Sequence, residues 1–318
     1  MKKVNFYNII LEGIILKKLC SLLIIVLFLS ACGDDSNSNE TSTSENQSDI
    51  DKLVMAYLPL EGGEGVQQTN AEFEDGLSEK IGVPVESYQV SSYNAAIEAM
   101  GNEEADMVIM PPFAYILGVE RAGIEALVGA KEQDGVQSNI IVSSESEIED
   151  ITQLEGKTFG FVDPSSSSGH LLPKTMMLDE MDMSVEELEN DFLKEEQFVG
   201  SHESALIGAV NGQYDATAIA SPIPEALVDR GVIEEDSYRI IAESDTTPPP
   251  PFSVRGGLPE ETKDQVKEYL LNFDEPNFLQ NLLGMEGAEF VEVDDSDYDF
   301  YRTMSESLNM SPEELMNQ

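Results

Sequence analysis

The sequence predicts an α/β protein of two lobes with a ligand cleft between them, each lobe a mainly parallel sheet flanked by helices. Three observations carry this. Strand-like and helix-like segments alternate from Leu53 onward, with Gly and Pro at the joints. A long extended run over residues 136–143 interrupts the alternation, which then resumes. A proline-rich segment, TTPPPPFSVR over 246–255, follows the second set and fixes an extended path back. Two alternating sets joined by two extended crossovers make two lobes.

In the first set the pattern predicts strands at Leu53–Tyr57, 83–89, 105–110 and 126–130, with helices over 67–80, 93–100 and 113–122. The second set predicts strands at 158–162, 197–199, Ala216–Ala220 and 238–242, and helices over 171–181, 204–211 and Ile223–Asp229. Four consecutive prolines lack the N–H groups a central strand needs, so the return crossover is expected outside the sheet interior. The remainder, mostly helical with an acidic patch at 289–299, is expected to fold back on the first lobe. Lobe 1 is then 51–136 with 249–318, and lobe 2 is 137–248.

The front of the chain reads as an address. Lys2, Lys3, Lys17 and Lys18 precede an apolar core, LCSLLIIVLFL over 19–29, of signal-peptide rather than membrane-spanning length. It runs into Leu29-Ser30-Ala31-Cys32, which resembles the bacterial lipobox and implies a leader over 1–31 with a diacylglycerol group on Cys32. The n-region is longer than usual, and an ordinary signal peptide or a short membrane anchor is the alternative. Residues 32–50 are rich in Ser, Asn, Asp and Glu and read as a flexible tether. Cys20 lies inside the leader core, so the mature domain has no thiol chemistry and no disulfide. The expected location is extracytoplasmic, anchored by lipid to the cell membrane.

The chain carries 62 Asp+Glu against 17 Lys+Arg, a net charge of −45. Nucleic acid and anionic membrane surfaces are thereby excluded as partners of the folded part, and membrane contact is confined to the lipid anchor. So few lysines on so acidic a surface point to a halophilic protein, with a merely acidic extracellular protein as the alternative.

An anion entering such a field needs oriented dipoles to hold it, and in open α/β sheets ligands bind beyond the carboxyl ends of strands, where helix N-termini point. Four joints carry suitable residues. The first is Ser91-Ser92-Tyr93, with Ser92 a good N-cap. The second runs from Met110-Pro111-Pro112 to Tyr115. The third is Asp163-Pro164 followed by Ser165, Ser166, Ser167, Ser168 and Gly169, four hydroxyls and a run of N–H groups at a helix start. The fourth is Gly200-Ser201-His202-Glu203. Two joints belong to each lobe, so an anion would be gripped from both sides. Pro173 is discordant, because it falls in the second turn of a helix beginning at Ser167. Asp215 is either a turn residue or part of the site, and His170 reads as exposed or capping.

From 53 to 272 the chain resembles the phosphate/phosphite/phosphonate-binding lipoproteins of ABC transporters, a branch of the type 2 periplasmic-binding-protein fold. The resemblance rests on Ser166-Ser167-Ser168-Gly169 followed by Pro173, on Gly200-Ser201-His202-Glu203, on Gly212-Gln213-Tyr214-Asp215-Ala216, and on Pro251 with Arg255 ahead of Leu258-Pro259. It implies that Tyr93, Tyr115, Ser166, Ser167, Ser168 and His202 hold a PO3 group, with Ser92, Ser165, Gly169 and Asp215 as further candidates. Pro222 and Pro250 stand where aminophosphonate-binding relatives use carboxylates, which argues against a ligand ammonium group. Glu225 and Glu243 would substitute only under a shifted alignment.

The expected function is capture of a phosphorus oxyanion (phosphate, phosphite or alkylphosphonate) by a monomer and its delivery to an ABC permease, with no cofactor, no metal and no catalysis. His170 and His202 are the only histidines, and neither a Gly-x-Ser-x-Gly elbow nor a phosphate-binding P-loop occurs. The alternatives are a ligand-reading subunit of a membrane sensor, or a hydrolase of a small phosphorylated compound built on Ser168, His202 and Asp215.

Overall fold

The computed structural model describes residues 50–58, 64–275 and 277–308. The leader expected over 1–31, Cys32 and the tether as far as residue 49 lie outside the described residues.

Two sheets organise the chain. In the first, β1 (Leu53–Tyr57) lies between β2 (Val85–Gln89) and β3 (Met107–Ile109) and is parallel to both. Beyond β3 come β10 (Pro251–Arg255), β4 (Ile124–Lys131) and β11 (Glu289–Val291), each antiparallel to its neighbour. The second sheet has the order β7 (Glu195–Phe198), β6 (Thr158–Phe161), β8 (Ala216–Ala220), β5 (Ser138–Ser143), β9 (Tyr238–Glu243). Its first three strands are parallel, and β5 runs antiparallel to β8 and β9. Both sheets are therefore mixed rather than mainly parallel. The strands that arrive by crossover from the other lobe, β5 and β10, run against the βαβ core of the lobe they join.

The chain passes between the sheets twice, and the two passages are stitched together: the Thr247 N–H donates to the Val136 carbonyl at 2.7 Å. The proline run does enter a central strand, contrary to expectation, but only by its last member. Pro251 heads β10 and contributes a carbonyl to Met110 N–H at 3.2 Å, while the Pro250 carbonyl takes Ala130 N–H at 3.0 Å. Acceptors suffice at these positions, so the missing donors cost nothing.

Helices α1 (Glu64–Ile81), α2 (Tyr93–Gly101) and α3 (Pro112–Ala122) accompany the first sheet; α4 (Leu172–Met181), α5 (His202–Val210) and α6 (Ile223–Asp229) accompany the second. The C-terminal helices are α7 (Glu260–Leu271), α8 (Phe278–Leu283) and α9 (Asp299–Ser307). The first two pack on the first sheet through an aromatic cluster in which Phe73 of α1 stacks on Phe278 at 4.5 Å and meets Phe252 of β10 at 6.3 Å. Such pairs are worth about 0.5–1.5 kcal/mol each beyond their burial. Arg255 is structural too. Its Nε donates to Asp106 Oδ1 at 2.5 Å, and Asp106 Oδ2 also accepts from Val54 N–H at 2.8 Å, binding β10, β3 and β1 at one end.

Candidate functional site

The serine turn is held by its own hydroxyls. Asp163 Oδ1 accepts from the Ser165 N–H at 2.9 Å and its hydroxyl at 2.6 Å, and the Ser166 hydroxyl caps the turn by accepting from Gly169 N–H at 3.0 Å. A Cβ on Gly169 would lie 2.4 Å from Val162, so only glycine lets the turn settle on the end of β6. Residues 167–171 form one wide π-turn that leads into α4, which puts Pro173 in the first turn of that helix and removes the discord noted above.

Ser167 reaches across to the other sheet. Helix α3 starts at Pro112, so the first N–H it presents is that of Phe113, and this donates to the Ser167 hydroxyl oxygen at 2.8 Å. The Ser167 side chain also meets the buried Tyr301 side chain. Ser168 is fixed through its backbone, whose carbonyl accepts from the Ser138 hydroxyl at 2.6 Å.

His202 opens α5 behind its N-cap Ser201. Its Nδ1 faces the Ala220 N–H at 3.3 Å, and because that N–H only donates, Nδ1 is bare and Nε2 carries the hydrogen. Burial pushes the imidazole down to about 4, so it is a neutral donor at physiological pH.

Tyr93, Ser167, Ser168 and His202 share one cavity of about 420 Å³ between the two sheets. The other residues expected there are elsewhere. Tyr115 is buried in α3 with its hydroxyl donated to Asp295 Oδ1 at 2.8 Å and its ring on Tyr298 at 4.8 Å; it joins the C-terminal segment to α3. Ser166, Ser165 and Gly169 build the turn, and Ser92 caps α2 by accepting from Ala95 N–H at 3.1 Å. Asp215 sits at the far end of β8, where Oδ2 accepts from the Thr158 N–H at 2.8 Å and its hydroxyl at 2.9 Å. Five residues of strand put it about 16 Å from the Ala220 end that meets His202, so no Ser-His-Asp array is assembled. His170 is neither exposed nor capping. It is wholly buried, its rings 5.0 Å from Phe161 and from Phe198, with Nδ1–H donated to the Pro164 carbonyl at 2.8 Å and its pKa pushed down by burial to about 3.

Several lining residues were missed from sequence. Tyr57, the last residue of β1, presents its ring while its hydroxyl goes to Glu74 Oε1 at 3.1 Å; its place at the carboxyl end of a parallel strand was the available signal. Thr247 enters from the second crossover, next to Pro250, which the sequence had placed at the site, and Met285 from the segment after α8. Tyr301 of α9, fully buried, lies behind this wall beside Ser167 and Thr247. Pro222 also lines the cavity, whereas Glu225 and Glu243 do not. Among the described residues no group of three or more His, Cys, Asp or Glu is placed to hold a metal ion, and no helix is long and apolar enough to cross a membrane.

Two mixed α/β sheets, crossed twice by the chain and enclosing a cavity lined by helix N-termini, define a two-lobed solute-binding protein. The match of residues 55–298 to the family model for the periplasmic substrate-binding protein of phosphonate ABC transporters shows that the chain belongs to that family. It is 26% identical over 297 residues to the phosphate-import protein PhnD of Mycolicibacterium smegmatis, covering 87% of this chain and 91% of the relative. The fold matches a binding-protein component of a phosphonate ABC transporter from Pseudomonas aeruginosa at a TM-score of 0.72 and 19% identity, over 81% of this chain and 86% of the other. It also matches PhnD1 of Prochlorococcus marinus, solved in complex with methylphosphonate, at a TM-score of 0.69 and 18% identity, over 82% and 99%.

Proposed function

We propose that the chain captures a tetrahedral phosphorus oxyanion, whether phosphate, phosphite or an alkylphosphonate, between its lobes and hands it to an ABC permease as a monomer, without catalysis. The observation that carries this is the meeting of Ser167, Ser168, His202 and Tyr93 in one cavity, with His202 held as a neutral Nε2–H donor. Neutral hydroxyls and N–H groups bind an oxyanion without a cation and without the titration a cation would bring. Lobe 1 (51–136 with 249–318) and lobe 2 (137–248) close as a hinge on the stitched passages at Val136 and Thr247. Relatives bearing PhnD names are a phosphate-import protein and a methylphosphonate complex, which agrees with this ligand class. The mature protein begins at Cys32 and is held by its lipid on the outer face of the cell membrane.

Calorimetry with phosphate, phosphite and methylphosphonate tests the reading. One-to-one binding by the wild type, weakened ten- to a hundredfold in Ser168→Ala and His202→Ala, is expected, since a hydrogen bond to a charged group is worth about 1.5–3 kcal/mol. Unaltered affinity in both variants would overturn the site, and turnover of a phosphate ester would overturn the binding-only role. Cys32→Ser is expected to release the protein from the membrane.

A further inference from the structure

The cavity has room for more than a bare oxyanion, and much of its lining is apolar. Its volume of about 420 Å³ falls in the range of about 300–1,000 Å³ that holds organic ligands of drug size. Ser167, Ser168, His202 and Tyr93 line the cavity together, and further neutral polar groups come from Thr247, Gln280 and Asn281. Most of the remaining lining is apolar, and it comes from both lobes. Lobe 2 contributes Ile223 and Leu227 of α6, and lobe 1 contributes Leu282 and Leu283 of α8 with Met285 just beyond it. Pro222 and Pro250 stand in the lining without a carboxylate. Charge reappears only at the rim, with exposed Asp229 and with Arg230, which is paired to Glu203 at 2.8 Å.

Resting on the oxyanion reading above, we infer that the ligand is a PO3 compound with an uncharged apolar arm of several carbons, a longer alkyl- or arylphosphonate or the corresponding phosphate monoester, lying between α6 and α8. Apolar walls gain from contact with hydrocarbon, and the one carboxylate among the described lining residues, Asp229, is exposed to solvent, so an ammonium group on a short arm meets mostly apolar side chains and is penalised. The PO3 end supplies orientation, and the arm supplies the difference in affinity between ligands.

A calorimetric series of phosphite and methyl-, propyl-, hexyl-, phenyl- and 2-aminoethylphosphonate, with hexyl phosphate alongside, tests this on the wild-type protein. Affinity is expected to rise about three- to fourfold per buried methylene from methyl to propyl and on toward hexyl. The heat-capacity change of binding should grow more negative along the series. 2-Aminoethylphosphonate is expected to bind at least tenfold more weakly than propylphosphonate. Phosphite and methylphosphonate binding as tightly as hexylphosphonate, or an aminoethyl compound matching propyl, would overturn the arm while leaving the oxyanion site intact. Failure of every PO3 compound to bind would overturn the oxyanion reading and the arm with it. Hexyl phosphate against hexylphosphonate decides whether the bridging oxygen of an ester is accepted; either order supports the arm provided both exceed methylphosphonate, and neither exceeding it overturns it.

Discussion

The Ser167 hydroxyl oxygen accepts the Phe113 backbone N–H at 2.8 Å, joining the serine turn of the second sheet to the N-terminus of α3 on the first. One hydroxyl thus bridges the lobes with its lone pair while its residue lines the cleft. The two features that would grip an anion from opposite sides already grip each other.

Ser167→Ala removes both roles, so it is expected to weaken methylphosphonate binding by about ten- to a hundredfold and also to loosen the lobes. Small-angle scattering should show a larger radius of gyration for the variant than for the wild type when both are free of ligand. Equal profiles, with affinity lost, would leave Ser167 a ligand contact and remove it as a bridge.

The two histidines are predicted to be neutral and of opposite tautomers, His202 with its hydrogen on Nε2 and His170 with its hydrogen on Nδ1. Burial holds their pKa values at about 4 and about 3, below the ordinary value near 6.5. The unfolded chain therefore binds more protons than the folded one as pH falls below about 6.5. The histidines' contribution to stability is full above that pH and is lost as pH falls toward 4. Nitrogen-15 spectra of the imidazoles should show both tautomers unchanged from pH 8 to 6. The urea midpoint should fall from pH 7 to 5.5, and less steeply in His170→Phe, whose ring suits the place between Phe161 and Phe198. A steeper fall in that variant would contradict the assignment.

Much of this was legible in the sequence. The order of elements and the joints carrying Tyr93, the serine turn and His202 follow from alternation and capping chemistry, which are local. What was not legible is non-local. Whether β10 pairs antiparallel inside the first sheet depends on where the chain re-enters, and prolines forbid only the donors that this position happens not to need. Tyr115 and Asp215 have the right residue types near the right joints, but their partners, Asp295 and Thr158, lie 180 and 57 residues away. No pattern within a window could separate a hydroxyl aimed at the cleft from one aimed at the C-terminal segment.

Gly284 ends α8 in the left-handed region, at φ 74°, and faces α6 of the other lobe: a Cβ there would stand 3.2 Å from the Ala226 Cβ and 3.6 Å from Ile223 Cδ1. Gly284→Val is therefore expected to cost about 1 kcal/mol or more in fold stability through its backbone alone. It should also hold the cleft ajar, so that ligand affinity falls more than the stability loss would explain. Gly287→Val is the control, since it has a similar φ of 66° but nothing within 4 Å. Equal loss of affinity in the two variants would show that strain alone, and not contact between α6 and α8, is responsible.

The net charge of −45 sets two salt effects of the same sign. Screening shortens the reach of charge from about 8 Å at physiological ionic strength to about 3 Å at 1 M, so self-repulsion of the folded domain falls and its thermal midpoint should rise substantially between 0.05 and 2 M KCl. The kinetics are the sharper test. A cationic site steers an anion and loses association rate as salt rises, whereas here an anionic ligand approaches a like-charged surface and is drawn in only by neutral donors within the cleft. The association rate of methylphosphonate, followed by stopped-flow fluorescence of the tyrosines, is therefore expected to increase from 0.05 to 0.5 M KCl. A flat midpoint would remove the halophilic reading of the acidity. A falling association rate would mean that a local positive potential governs entry, and Arg230 at the rim would be its first source to examine.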